Sequence, residues 1–193
     1  MQNYGWRLMA LAAFAMLVLA ACGGDDDDDG GANGDDDGGD GPATISLTSE
    51  EFEDGGAIPE DFSCDGRNHS PPLRWGSRPG DAQSLAIIMD DLDADFVHWV
   101  LYDADPALGG LDFAGQTEVF PGGSAEHGLN SFDEFGYAGP CPPPGDEAHT
   151  YRFRLFVLNA MTDLEPGATA DELEAAMQGH ILAEGELTGT YAR

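Results

Sequence analysis

The sequence contains no lysine and few cations of any kind. Its seven basic residues are all arginine and stand against 37 acidic ones, so the 193-residue chain has a formal net charge of −30. This balance speaks against binding nucleic acid or an anionic membrane through a broad patch. It is typical of acidic surfaces that stay soluble in high salt, where screening suppresses self-repulsion. We therefore expect a halophilic protein from a salt-adapted bacterium or archaeon.

Long apolar runs are also scarce. The run Leu8–Ala21 is too short for a comfortable transmembrane helix and ends directly before Cys22. Small residues before a cysteine at this position resemble a bacterial lipobox. We therefore predict that residues 1–21 are a lipoprotein signal peptide, and that Cys22 is lipidated and anchors an extracytoplasmic protein to a membrane. The alternative is a plain signal peptide with a chance cysteine.

The segment after Cys22 lacks any apolar side chain larger than alanine. Residues 23–41 consist mainly of glycine and nine aspartates. Such a tract cannot bury enough surface to offset its ordering entropy, and its charges repel one another. Residues 22–43 are thus expected to form a disordered tether, with a loose cation-binding tail as the alternative. Residues 44–193 have the length of one domain and still carry 28 acidic residues against six arginines.

Cysteine is rare, and only two cysteines fall within the predicted domain. Cys64 and Cys141 form an even pair in a chain that is expected to be exported, which makes them a disulfide candidate. The alternative is two buried free thiols.

The patterns that remain indicate a mainly β domain. Apolar or alternating runs of strand length predict strands at 84–90, 97–102, 151–158 and 185–191. Thr169 to Glu172 has capping-box spacing and Gly179 is a plausible stop, so one helix is expected between them. Long Gly/Pro-rich connections occupy 54–80, 103–124 and 136–148. The fold class is therefore mainly β, in a sandwich or Greek-key arrangement with one or two peripheral helices.

The aspartates of MDDLDADFVHWV suggest a calcium loop, but the pattern fails. Asp91, Asp93 and Asp95 supply the first three ligands of an EF-hand. Phe96 stands where the sharp turn needs glycine, and Tyr102 stands where the closing glutamate belongs. A metal site built from the histidines has no supporting motif spacing. No metal or cofactor is predicted.

Catalysis is harder to dismiss from the sequence. Asp91, His98 and His149 bracket predicted strands, and histidine with carboxylate is a standard acid–base pair. A nucleophile is missing, because Ser124 lacks the strand and helix that a nucleophile elbow needs. Cys141 could act as a thiol near His149, but it lies among prolines. We therefore expect no enzymatic activity.

Five motifs in one order carry a family resemblance. They are SPPLRW (70–75), DLDA (91–94) followed by HWV (98–100), GYAGPCPPPG (136–145), HTYRF (149–153) and GHIL through GTYAR (179–193). Together they resemble the phosphatidylethanolamine-binding protein family, in its bacterial Raf-kinase-inhibitor-like (YbhB/YbcL-type) branch. The similarity covers essentially all of residues 45–193.

The resemblance implies a β-sandwich of two antiparallel sheets with a small anion-accepting pocket at one end. The residues that match the family's pocket are Asp91, His98, Gly139, Pro140, Cys141, Pro142, His149 and Tyr151. In this arrangement Cys64 and Cys141 could join two loops at the pocket rim.

This chain departs from the family pattern at the pocket mouth. The D-P-D-A-P loop of the family is DLDAD here, so both prolines are lost and Asp95 replaces the second, and Thr150 replaces an arginine. Both changes make the mouth more acidic.

The expected function is that of a lipid-anchored, non-enzymatic protein that binds a small anionic or phosphorylated ligand. One alternative is an extracytoplasmic protease inhibitor or interaction protein whose partner the sequence does not identify. A less favoured one is a hydrolase that uses His98, His149 and Asp91.

The acidic composition predicts that salt stabilises the fold. The melting temperature should rise by several degrees between ~0.1 M and ~2 M NaCl, because screening weakens repulsion among the surplus carboxylates. Thermal unfolding followed by circular dichroism measures this. A melting temperature that stays flat or falls over this range would contradict the prediction of salt adaptation.

Overall fold

The computed structural model describes residues 41–112 and 125–193. The predicted signal peptide, Cys22, almost all of the predicted tether and Ser124 lie outside the described residues. Among the described residues, no helix is long and apolar enough to cross a membrane.

Within these ranges the chain forms ten strands, one α-helix and one 3-10 helix. The strands are β1 (Ala43–Thr44), β2 (Leu47–Ser49), β3 (Gly56–Ala57), β4 (Leu73–Trp75), β5 (Ser84–Asp91), β6 (Phe96–Ala104), β7 (Gly110–Leu111), β8 (Glu126–His127), β9 (His149–Leu158) and β10 (Ile181–Tyr191). Helix α1 spans Ala170–Met177, and the 3-10 helix spans Glu60–Phe62.

The strands form two sheets, as predicted. The large sheet has seven strands in the order β1-β10-β9-β5-β6-β8, with β3 also paired to β10, and the small sheet has the order β2-β4-β7. At one edge the large sheet is mixed, because β1 and β3 both run parallel to β10. The remaining pairings are antiparallel.

The central strands of the large sheet are buried on both faces. Along β5, Leu85, Ile87 and Met89 pack in the core between the two sheets. Ala86 and Ile88 face the opposite side and pack in a second cluster that includes the buried residues of α1. Double-sided burial explains why this strand reads as an uninterrupted apolar run rather than an alternating one.

Strand β9 changes its exposure along its length. Tyr151 and Phe153 are buried, whereas Arg152 and Arg154 between and beyond them are half-buried and lie on the other face. Arg152 donates to both carboxylate oxygens of Asp90 on the neighbouring strand, at 3.1 and 2.5 Å. The last four residues of the strand are all buried.

Helix α1 begins and ends where its capping signals predict. The Thr169 hydroxyl accepts from the Glu172 backbone N–H, and the Glu172 carboxylate accepts from the Thr169 backbone N–H, which completes the capping box. The helix ends at Met177, and Gly179 has a positive φ of 79°, the left-handed geometry that glycine tolerates best.

The sequence missed the short elements of the fold. The connection 54–80 was predicted to be a loop but contains β3, the 3-10 helix and β4. Ala43, assigned to the tether, is the first residue of β1. Elements of two or three residues are too short to carry a periodic pattern. The short strands among them form only because they pair with strands that are distant in the sequence.

Candidate functional site

The hairpin of β5 and β6 places Asp91 and His98 at one end of the large sheet. Asp91 is the last residue of β5 and is 4% exposed, and His98 on β6 is 3% exposed. Asp91 Oδ1 accepts from the backbone N–H groups of Asp93 at 2.9 Å and Ala94 at 3.2 Å. The carboxylate therefore fixes the turn that separates the two site residues.

Strand β9 brings His149 and Tyr151 to the same end of the sheet. The two residues are two positions apart and share one face of the strand, and Tyr151 is the register partner of Asp91. His149 Nδ1 donates to Asp91 Oδ2 at 2.8 Å. This hydrogen bond, supported by the negative charge of Asp91, raises the pKa of His149 above its usual value.

His98 is held in a different environment. Its Nδ1 donates to the carbonyl oxygen of Ala138 at 2.8 Å, and the Ala138 N–H donates to the His98 carbonyl at 3.0 Å. Burial lowers the pKa of His98, against smaller opposing effects of this hydrogen bond and of the Asp91 charge. At neutral pH His98 is therefore an uncharged imidazole with its proton on Nδ1.

Tyr151 lies between the two imidazoles. Its ring meets His98 edge to face at a centroid distance of 5.2 Å and is stacked near His149 at 6.4 Å. The hydroxyl is buried and makes no hydrogen bond of normal geometry among the described residues, but the Asp91 carboxylate and the Cys141 main chain both lie close to it. Burial, followed by the charge of Asp91, raises the pKa of this hydroxyl, so it stays protonated and is a poor nucleophile.

Residues 139–144, here called the proline loop, form another side of the site. A Cβ on Gly139 would lie 2.2 Å from the Phe62 carbonyl oxygen, so only glycine fits this close approach. Its N–H donates to Asn68 Oδ1 at 2.7 Å. Cys141 is joined to Cys64 by a disulfide with a Cα–Cα distance of 5.4 Å. The main chain of Cys141 interacts with the Tyr151 hydroxyl.

The structure brings the sequence-predicted residues together but gives the other aspartates different roles. The Asp93 carboxylate accepts from the Thr150 N–H on β9 at 2.6 Å and so ties the β5–β6 turn to the neighbouring strand. Asp95 is exposed and has a φ of 50°. Proline is fixed near −65°, so the family's proline cannot occupy this turn geometry.

Two aromatic residues of the site were missed by the sequence analysis. The rings of Phe96 and Phe132 lie 5.2 and 5.8 Å from the His98 ring, and 4.6 Å from each other. Phe132 is 46% exposed. It lies outside the strands, where no periodic pattern marks a residue, so only the tertiary structure shows that it borders His98.

Two cavities formed by described residues lie beside this cluster. One, of about 440 Å³, is lined by Asp91 together with Arg152, Arg154 and residues of α1, and so lies on the helix side of the sheet. The other, of about 410 Å³, is lined by residues 47–54 and Leu187. The hydrogen bonds and ring contacts, rather than cavity volume, therefore define the site.

The geometry does not form a metal centre or a catalytic triad among the described residues. No group of three or more His, Cys, Asp or Glu side chains there is placed to hold a metal ion. His180 contacts the Asn159 side chain. Asp91 orients His149, whereas His98 bonds to a backbone carbonyl.

The fold and site together define a class, that of β-sandwich proteins with a compact polar site at one end of the large sheet. A model of the phosphatidylethanolamine-binding protein family matches residues 48–192. The chain belongs to this family, and it fits the bacterial YbhB/YbcL-type branch that the sequence predicts.

Relatives and solved structures agree with this assignment. The chain is 44% identical over 153 residues to a UPF0098 protein of Methanothermobacter thermautotrophicus, covering 77% of this chain and 99% of that protein. It is similar to the crystal structure of a putative PEBP homolog, CT736 of Chlamydia trachomatis (TM-score 0.70, 37% identity, 78% and 98% covered). It is also similar to E. coli YbcL (TM-score 0.71, 26% identity, 78% and 99% covered).

The two histidines should titrate in opposite directions from the ordinary value of ~6.5. NMR titration of the imidazole nitrogens should place the pKa of His149 above that value and the pKa of His98 below it. Asp91→Asn should lower the pKa of His149, because it removes the charge and the charged acceptor. Asp95→Asn is the matched control and should leave it near its original value. Equal titration of both histidines in the unmodified chain would contradict the site geometry.

Proposed function

We propose that the chain is a lipid-anchored, extracytoplasmic and non-enzymatic binding protein whose site takes a small phosphate-type group. The observation that carries the proposal is the arrangement of Tyr151 between two imidazoles of opposite pKa shift. Such a site combines hydrogen-bond donors and an acceptor within a few ångströms.

The hydrogen-bond roles favour a partly protonated oxyanion. His149 uses Nδ1 for Asp91, so its protonated ring has Nε2–H left to donate. Neutral His98 uses its Nδ1–H for Ala138, so its Nε2 accepts. The buried Tyr151 hydroxyl supplies a further donor. Monohydrogen phosphate and phosphate monoesters offer acceptor oxygens, and monohydrogen phosphate also offers an O–H donor, which matches this set.

The surrounding charge limits the affinity. The Asp91–His149 pair is neutral overall when His149 is protonated, and Asp93 lies nearby as an additional anion. Thr150 supplies no cation where the family has arginine. Binding should therefore be modest and should depend on hydrogen-bond geometry more than on net charge. The preformed turn and the proline loop reduce the ordering cost of binding.

The site also favours binding over hydrolysis. The hydroxyl between the imidazoles has a raised pKa, which opposes its use as a nucleophile. The hydrogen bond to Asp91 raises the pKa of His149, which favours the protonated ring that donates to a ligand over the neutral ring that a general base needs.

Phosphate binding tests the proposed site. In isothermal titration calorimetry with inorganic phosphate, His149→Ala should weaken binding by about ten-fold, equivalent to about 1.4 kcal/mol. His180→Ala is the matched control, since this histidine contacts Asn159 and lies outside the site. Affinity should fall as the pH rises through the raised pKa of His149, because the Nε2–H donor is then lost. Absence of binding in the unmodified chain at any pH would overturn the proposal.

The membrane anchor is tested separately. The lipobox-like sequence before Cys22 supports a diacylglyceryl modification at that residue. In a bacterial expression host, the chain should partition into the detergent phase of Triton X-114 and incorporate labelled palmitate. Cys22→Ala should abolish the incorporation of label. Equal labelling of Cys22→Ala and the unmodified chain would contradict lipidation at Cys22.

A further inference from the structure

The proline loop has few backbone donors with which to hold its position. Four of its six residues are proline and lack an amide hydrogen, so only Gly139 and Cys141 can donate. Gly139 donates to Asn68, and the main chain of Cys141 lies against the Tyr151 hydroxyl. The loop also accepts bonds from the Cys64 N–H to the Pro140 carbonyl at 3.1 Å and from the Asp146 N–H to the Pro143 carbonyl at 3.2 Å.

The disulfide is the covalent tie between this loop and the segment 62–68. It joins Cys64 and Cys141 across a sequence separation of 77 residues. Ala138, whose carbonyl oxygen orients His98, directly precedes the loop. A change at Cys141 therefore reaches Tyr151 through the Cys141 main chain, and it reaches His98 through Ala138.

The bond is accessible and is electrostatically asymmetric. Both cysteines are half-buried, so a reductant can reach them. Arg193 Nη1 lies 3.6 Å from Cys141 Sγ, and the Asp65 carboxylate fixes this guanidinium with contacts of 2.8 to 3.1 Å. A nearby cation stabilises a thiolate, so Cys141 is the better leaving group when the bond is attacked.

We propose that the Cys64–Cys141 disulfide is a redox modification site that controls the ligand affinity of the candidate site, with a dithiol as the reductant. This inference rests on the proposed function. A thiolate of the reductant attacks Cys64 Sγ, the S–S bond breaks and Cys141 leaves as a thiolate. The second thiolate of the reductant then displaces Cys64 from the mixed disulfide. The protein gains two electrons, and the reductant becomes a disulfide.

Reduction leaves the loop with only the few hydrogen bonds described above. The donors and the acceptor that face the ligand then lose their fixed spacing, and the ordering cost of binding returns. Reoxidation restores the fixed spacing and removes this ordering cost again. The same chain thus exists in a binding state and a weakened state that share one folded core.

The experiment uses the full chain with Cys22→Ser, so that only two thiols are counted. Inorganic phosphate is titrated calorimetrically into the oxidised form and into the form reduced with dithiothreitol. Reduction should weaken binding about ten-fold, with recovery after reoxidation. Cys64→Ser should bind weakly with or without the reductant. The oxidised Arg193→Gln variant should bind phosphate like the parent, but dithiothreitol should reduce its Cys64–Cys141 disulfide several-fold more slowly.

Hydrogen exchange separates loop release from unfolding. Reduction should increase exchange at the Ala138 amide while the amides of β5 and β9 stay protected. Loss of protection throughout the sheet would make the disulfide a general stabilising bond, which overturns the inference.

The two failures can be distinguished. If oxidised and reduced protein bind phosphate equally and two free thiols per chain are measured, the inference is wrong and the proposed function stands. If neither form binds phosphate, the proposed function is wrong. In that case hydrogen exchange still tests whether reduction frees the loop. Faster exchange at the Ala138 amide alone supports the redox inference, and unchanged protection of that amide overturns it.

Discussion

The carboxylate of Asp91 is the group on which the site depends, because its two oxygens serve two parts of the structure. Oδ1 accepts from two backbone N–H groups and fixes the β5–β6 turn, while Oδ2 accepts from His149 on β9. A buried carboxylate is costly unless such partners satisfy it. One side chain therefore sets the shape of the hairpin, the orientation of an imidazole and the charge state of that imidazole together.

The site gains its chemical range from placing similar groups in dissimilar surroundings. His98 is buried against a carbonyl oxygen and loses basicity, whereas His149 faces a carboxylate and gains it. Tyr151 lies beside both rings with a buried hydroxyl. Two imidazoles of the same shape thus differ in their hydrogen-bond role: His149 donates and His98 accepts. The difference comes from their neighbouring residues rather than from residue type.

The sequence predicts the long elements of this fold well and the tertiary details of the site poorly. Strand β5 and helix α1 follow from their apolar patterns and capping signals, which are local. The parallel pairing of β1 with β10 does not, because two residues carry no period and their partner is distant. In the same way the family motifs identify Asp91 and His149. They do not show that Asp91 rather than Asp93 holds the turn, or that Phe132 borders His98, because those contacts depend on the tertiary structure.

Strand β10 has a consequence for the order in which the domain is completed. It is the last described strand in the chain, yet it occupies an interior position in the large sheet, next to β9 and between it and β1. Strand β1 thus has no partner in the sheet until β10 has been synthesised. The entropy cost of closing the loop between them is offset only when these two strands pair. The large sheet therefore cannot be completed before β10 has left the ribosome.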